Sequence, residues 1–160
     1  MLLGILSDTH DQLARTRRAV DLLISHGAQA LIHCGDFLSP EIVRVCAVRP
    51  FYFVFGNNDG EGDLMAAAAE TGTVCLKWGG VFELAGKRLG VTHGHSRSDM
   101  RRVMDAGVDY LFTGHTHATH DMTDGTVRRI NPGALHRADE FTVAVLDLES
   151  GELKFLPVGR

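Results

Sequence analysis

The sequence predicts an α/β fold in which two packed sheets carry helices on their outer faces. Three observations lead there. The first half alternates short apolar runs with amphipathic stretches, in the order βαβαβα. The second half is mainly short apolar runs with one helical stretch inserted. The apolar runs also end, five times over, in Asp, Asn or His, where ligands gather in open α/β sheets.

Residues 1–6, MLLGIL, are short and apolar enough for a buried strand, which breaks into Ser7-Asp8-Thr9-His10. Residues 11–26 put Leu13, Val20, Leu23 and Ile24 on one helical face, and Gly27 fits the stop. Residues 30–34 predict a second strand ending at Gly35-Asp36. Ser39-Pro40-Glu41 reads as an N-cap, a proline at the first helical position and an acidic first turn, for a helix to about residue 48. Residues 51–55 are apolar throughout, which predicts a third strand buried on both faces and ending at Gly56-Asn57-Asn58-Asp59. An alanine-rich helix follows over about 62–71.

Short strands are then expected over 73–76, 81–84 and 89–92, with Gly79-Gly80 and Gly86-Lys87 as tight turns. The last ends at His93-Gly94-His95. Residues 97–106 predict a helix stopped by Gly107, and 109–113 a strand ending at Gly114-His115-Thr116-His117. Asp124-Gly125 marks a hairpin turn before a strand over 127–130, and Asn131-Pro132-Gly133 a rigid turn. Residues 141–148 and 153–158 predict a closing hairpin around Ser150-Gly151.

At 160 residues, without repeat or linker, the chain is expected to form one domain over 1–160 with a sizeable core. No apolar run approaches the roughly 20 residues of a bilayer span, and no signal-like segment opens the chain, so a cytoplasmic protein is expected. Cys34, Cys46 and Cys75 are odd in number and lack C-x-x-C spacing, which argues for free thiols. A net charge of −4 argues against a nucleic-acid partner; the arginine clusters at 15–18, 101–102 and 128–129 read as solvated faces. The apolar third strand and closing hairpin leave room for a homodimer.

The chemistry lies at the strand ends. A single Asp8-x-His10 step reads more readily as a helix cap beside a solvated histidine; its recurrence along the chain overturns that reading in favour of metal binding. Hard carboxylate oxygens beside imidazole nitrogens suit a divalent transition metal. Asp8, His10, Asp36, Asn57, His93, His115 and His117 exceed what one ion needs and suit two ions with Asp36 as a shared bridge. Two-metal sites are a familiar solution for phosphoester hydrolysis. Two divalent cations against two carboxylates would leave a locally positive site that attracts phosphate despite the acidic chain.

In this order, Asp8-x-His10, Gly35-Asp36, Gly56-Asn57-Asn58-Asp59, His93 and Gly114-His115-Thr116-His117 resemble the motif series of the calcineurin-like metallophosphoesterases. The small size, with Thr92-His93-Gly94-His95 and Asn131-Pro132-Gly133, is similar to the compact prokaryotic YfcE-type phosphodiesterases. The resemblance implies a four-layer α/β/β/α sandwich and hydrolysis of a small phosphodiester by a hydroxide bridging two divalent metals. It implies one ion on Asp8, His10, Asp36 and His117, and another on Asp36, Asn57, His93 and His115. Manganese comes first among the metals, with iron, zinc or nickel able to use the same ligands. The family's usual histidine, thought to protonate the leaving group, is replaced by Asn58, an amide that donates a hydrogen bond but is no acid.

Asn58 and His95 are therefore the candidate catalytic residues, with His95 also read as a buttress for His93. Asp59 is expected to orient ligands, His33 to be a core histidine, and His26, His120 and His136 to lie on the surface or in turns, the last two near the site rim. Asn131 either faces the site or packs under its loops, and Trp78 is a candidate lining residue. Two other readings stay open. One is a non-catalytic scaffold like the retromer subunit of the same fold, which has lost part of the ligand set. The other is a nuclease, against which the missing basic face argues.

Overall fold

The structure, a computed structural model, describes residues 1–159. Alternation along β1 (Leu2–Leu6) sends Leu3 and Ile5 to one side and Leu6 to the other, so one strand feeds two cores. The same division runs through β2 (Ala30–His33), with Ala30 and Ile32 on one side and Leu31 on the other. β1, β2, β3 (Phe51–Phe53) and β4 (Val74–Cys75) pair in parallel. The helices α1 (Leu13–Ser25), α2 (Pro40–Cys46) and α3 (Glu61–Thr71) follow β1, β2 and β3 in turn, as parallel pairing requires. Val20, Leu23, Ile42, Val43, Leu64 and Ala67 bury their apolar stripe against Leu31, Phe51 and Phe53.

The second sheet is built from β5 (Gly79–Leu84), β6 (Lys87–Thr92), β7 (Tyr110–Phe112), β8 (Thr119–Asp124) and β9 (Val127–Pro132), in the order β5-β6-β7-β9-β8. The helix α4 (Arg97–Asp105) covers its outer face through Val103, packed with Leu111 and Val127. Its inner face gives Leu89, Val91, Phe112 and Ile130, which meet Leu3, Ile5, Ile32, Ala144 and Leu146 of the first sheet. The closing hairpin, β10 (Thr142–Asp147) and β11 (Leu153–Pro157), lies antiparallel beside β1, completing the order β11-β10-β1-β2-β3-β4. Two mixed sheets with three helices outside one and one outside the other give four layers, as expected.

Several local expectations change. Gly79-Gly80 opens β5; the turn lies at Leu76-Lys77-Trp78, with Lys77 at φ 57°. Gly79 belongs in the strand because a Cβ there would meet Thr92, Val103 and the Val91 carbonyl at 3.2 Å. Asn131 and Pro132 end β9, and only Gly133 (φ 86°) turns. Ser39 stands at the N-cap of α2 without capping it: its hydroxyl donates to Asp11 at 2.6 Å, and the helix stops at Cys46. The third strand is three residues long, although Val54 and Phe55 beyond it are also buried.

Candidate metal centre

Five strands end at one edge of the sandwich, where both sheets deliver their chemistry-bearing loops. Asp8 and His10 follow β1, Asp36 follows β2, and residues 56–59 follow β3. From the second sheet, His93 follows β6, and His115 and His117 follow β7. Asp8, His10, Asp36, His115 and His117 all adopt left-handed backbone, at φ 52°, 41°, 63°, 69° and 59°. Asp and His enter that region more readily than most residues, yet each such residue costs of order 1–3 kcal/mol. The cost is sustained by backbone bonds between loops: Asp8 N–H to the Gly35 carbonyl, His10 N–H to the Asp36 carbonyl, and Gly114 N–H to the His93 carbonyl, each 3.0 Å.

The loops turn their polar atoms inward on one point. Asp8 is fully buried, and its Oδ2 accepts from the Ser7 hydroxyl at 2.5 Å and the His115 N–H at 3.0 Å. A glycine must stand at 114, since a Cβ there would run into the Ser7 hydroxyl and come within 2.6 Å of Asp8 Oδ2. Asp8 Oδ1 instead faces imidazole nitrogens: His117 Nε2 at 3.2 Å, His10 Nε2 at 4.0 Å and His93 Nε2 at 4.0 Å. Asp36 Oδ2 lies 3.3 Å from His10 Nε2 and 3.5 Å from His93 Nε2. Asp8 Oδ1, His10 Nε2 and His93 Nε2 are buried and have no hydrogen-bond partner among the described residues. Orphaned buried atoms of this kind are costly unless a ligand completes them. Both triads, Asp8/His10/His117 and Asp8/Asp36/His93, draw their donor atoms close enough to hold a metal ion.

The second layer fixes how the donors point. The Cys34 carbonyl accepts from His93 Nδ1 at 2.7 Å, and the Arg137 carbonyl from His117 Nδ1 at 3.3 Å. Both rings therefore carry a proton on Nδ1 and turn the bare Nε2 inward, the usual arrangement behind a metal-binding histidine. Burial works against charging His93, but Asp36 and Asp8 outweigh it and hold its pKa above the ordinary value. Burial likewise opposes the Asp36 carboxylate, while the His93 ring in its protonated form and the hydrogen bonds from Asn58 hold its pKa well below the usual range.

Asp59 orients the neighbouring loops as expected. It accepts the N–H groups of Asp36 and Gly56 on one oxygen, and of Phe37 and Leu38 on the other, at 2.7–3.0 Å. His33 is the core histidine foreseen: Gly35 N–H donates to its Nδ1, so its Nε2 donates to Thr9, and the ring stacks on Phe37. Burial, then the charge of His93, push its pKa well down. Asn131 packs under the site, donating to the Gly114 carbonyl at 2.9 Å and the Thr116 hydroxyl at 3.1 Å.

The remaining candidates divide. Asn57 is exposed, and the His115 ring stands edge-on to His93 at 5.1 Å, on the open side. Asn58 turns onto Asp36, to which its amide donates at 2.8 Å. His95 is exposed, with its ring near those of His93 (5.4 Å), His115 (6.1 Å) and Trp78 (6.0 Å). His26 is exposed, and its Nδ1 donates to the Leu22 carbonyl, while His120 sits on β8 beside Asn131. The segment 135–137, to which the sequence assigned no more than His136 near the rim, proves to line the centre. Its signal is weak, because it touches the site through backbone groups and one ring.

Against this geometry, residues 1–151 match the calcineurin-like phosphoesterase superfamily domain. The chain belongs to that superfamily. Phosphodiesterase MJ0936 of Methanocaldococcus jannaschii is 29% identical, over 96% of this chain and 97% of that protein. Phosphodiesterase YfcE of Escherichia coli is 30% identical, over 84% of this chain and 79% of its own length. A solved structure described as a novel archaeal phosphodiesterase superposes with a TM-score of 0.89 at 28% identity, covering 99% of this chain and 100% of that one. In this calcineurin-like phosphoesterase, the matched domain takes in every residue of both donor triads.

Proposed function

We propose that the chain is a metal-dependent phosphodiesterase of the cytoplasm, with two divalent ions at the meeting point of the sheets. The observation that carries the reading is the trio of buried, unpartnered atoms, Asp8 Oδ1, His10 Nε2 and His93 Nε2. Carboxylate and imidazole donors in this mixture fit manganese first, and iron, zinc or nickel as well. Asp8, His10, Asp36 and His117 would hold one ion, and Asp36, Asn57, His93 and His115 the other.

When bound, the ions supply Lewis acidity for the phosphoryl oxygens and lower the pKa of a coordinated water. The chain's own work is orientation. Cys34 and Arg137 carbonyls keep the Nε2 lone pairs of His93 and His117 turned inward. Asp59 ties the Asp36 and Gly56 loops together, which fixes the backbone from which the Asp36 carboxylate faces the imidazoles. Asn58 steadies Asp36, and His95 stands at the open face, free to meet a substrate oxygen. Among the described residues no helix is long and apolar enough to cross a membrane. All three cysteines are free thiols, in keeping with a reducing compartment.

The test is elemental analysis of the purified chain together with hydrolysis of bis(p-nitrophenyl) phosphate. Two divalent ions per chain, activity lost on chelation and activity restored by manganese are expected. Full diesterase activity in metal-free protein would sink the proposal, and bound metal without hydrolysis of any ester would favour the scaffold reading.

A further inference from the structure

Three consecutive residues each touch one member of the Asp8/His10/His117 triad. Leu135 N–H donates to the Asp8 carbonyl at 3.2 Å. The His136 ring lies over the His10 ring, centroids 4.7 Å apart and planes inclined by 32°. The Arg137 carbonyl accepts from His117 Nδ1 at 3.3 Å. The segment is itself braced, since the Arg15 guanidinium donates to the Leu135 carbonyl at 2.5 Å and sits 3.7 Å over the Phe141 ring.

A braced segment holds His136 at the rim of the centre, half-buried. Its ring has no hydrogen-bond partner among the described residues, although an imidazole always has an N–H to give. On the 56–59 loop, the Asn58 amide is already engaged with Asp36. We propose that His136 is a substrate-binding residue whose ring N–H donates to an oxygen of the phosphoester over the Asp8/His10/His117 side of the centre. The inference rests on the phosphodiesterase reading above and deepens it: a hydrogen-bond acceptor on phosphorus, or on the ester oxygen beside it, is the group recognised.

The test compares the metal-loaded full chain with its H136A, H136F and H136Q variants. Phenylalanine keeps the ring over His10 without a donor, and glutamine keeps a donor without the ring. Binding of inorganic phosphate is read by titration calorimetry, kcat/KM on bis(p-nitrophenyl) phosphate by absorbance, and metal content by elemental analysis. H136A and H136F should lose about 10- to 100-fold in both phosphate affinity and kcat/KM, the scale of one hydrogen bond to a charged group. H136Q should recover most of the loss, and all four proteins should carry equal metal.

H136F matching the wild type would reduce His136 to a stacking partner of His10 and overturn the proposal. Loss of metal from H136A would overturn it too, in favour of a role in holding His10. Equal phosphate affinity in all four, or none in the loaded wild type, would do the same. A loaded wild type that hydrolyses no ester, yet binds phosphate in the stated order of variants, would remove the phosphodiesterase reading and leave His136 as an anion-binding residue.

Discussion

Asn58 grips Asp36 twice, with its backbone N–H on Oδ1 at 3.0 Å and its side-chain amide on Oδ2 at 2.8 Å. The second bond falls on the oxygen that also faces His10 and His93. An exposed residue thereby sets the orientation of a carboxylate that is almost fully buried.

Asn58→Ala should weaken metal binding with little change in the fold. A bond to a charged group contributes about 1.5–3 kcal/mol, and exposure of Asn58 moves the expected loss to the lower end, about tenfold in metal affinity. Competition with a chelator of known strength measures it; unchanged affinity would mean that the backbone N–H alone holds Asp36.

Asn131→Ala should act on stability. Asn131 is 2% exposed, ties the Gly114 carbonyl and Thr116 hydroxyl to β9, and accepts the Gly133 N–H at 3.0 Å. Removal strands that N–H in a buried place, at a cost of about 2–3 kcal/mol. Urea denaturation gives the figure, and a midpoint equal to the wild type would rule the bracket out.

The metal-free and metal-loaded proteins should respond to pH in opposite senses. The folded pKa of His93 lies above its ordinary value, since Asp36 and Asp8 outweigh burial. Its contribution to metal-free stability is therefore complete below about pH 6.5, the unfolded value, and is lost as pH rises through the folded value. Metal binding displaces that proton, so affinity should grow over the same interval. Melting curves from pH 5.5 to 8.5, with and without chelator, would show the two trends; a metal-free protein that becomes steadily more stable toward pH 8.5 would contradict the first.

Thiol reactivity offers a check on the cores. Burial raises the pKa of all three cysteines, and Cys34 and Cys46 are fully buried, whereas Cys75 is half-buried. A disulfide reagent should label one thiol slowly in the native protein and three after unfolding. Rapid labelling of three in the native state would mean that these cores open readily.

Strand ends were legible because each one interrupts an apolar run with Asp, Asn or His, a contrast visible within a few residues. The layers followed from the order of the runs, βαβαβα and then mainly strands with one helix inserted, whereas the division of Leu3 and Ile5 from Leu6 between two cores shows only in the fold. β8 was not legible: Thr119–Asp124 is polar, five of its six residues are exposed, and only pairing with β9 makes it a strand. Gly79-Gly80 misled because glycine marks both turns and strands crowded by a neighbour; only the nearness of Val103 and Thr92 separates the two cases. The same holds for His136, whose partner His10 lies near the other end of the chain, so no local pattern announces the pair.

The left-handed turns at the centre carry an implication for heat resistance. At His115, which is exposed, a glycine would remove a backbone clash of about 1–2 kcal/mol and add about 0.5–1 kcal/mol of freedom to the unfolded chain. The balance favours the glycine, so His115→Gly should melt no lower than the chelated wild type while giving up a proposed ligand. This part of the molecule would then be tuned against its own thermal endurance, and a search for hardier variants by melting temperature alone would drift toward dismantling the centre.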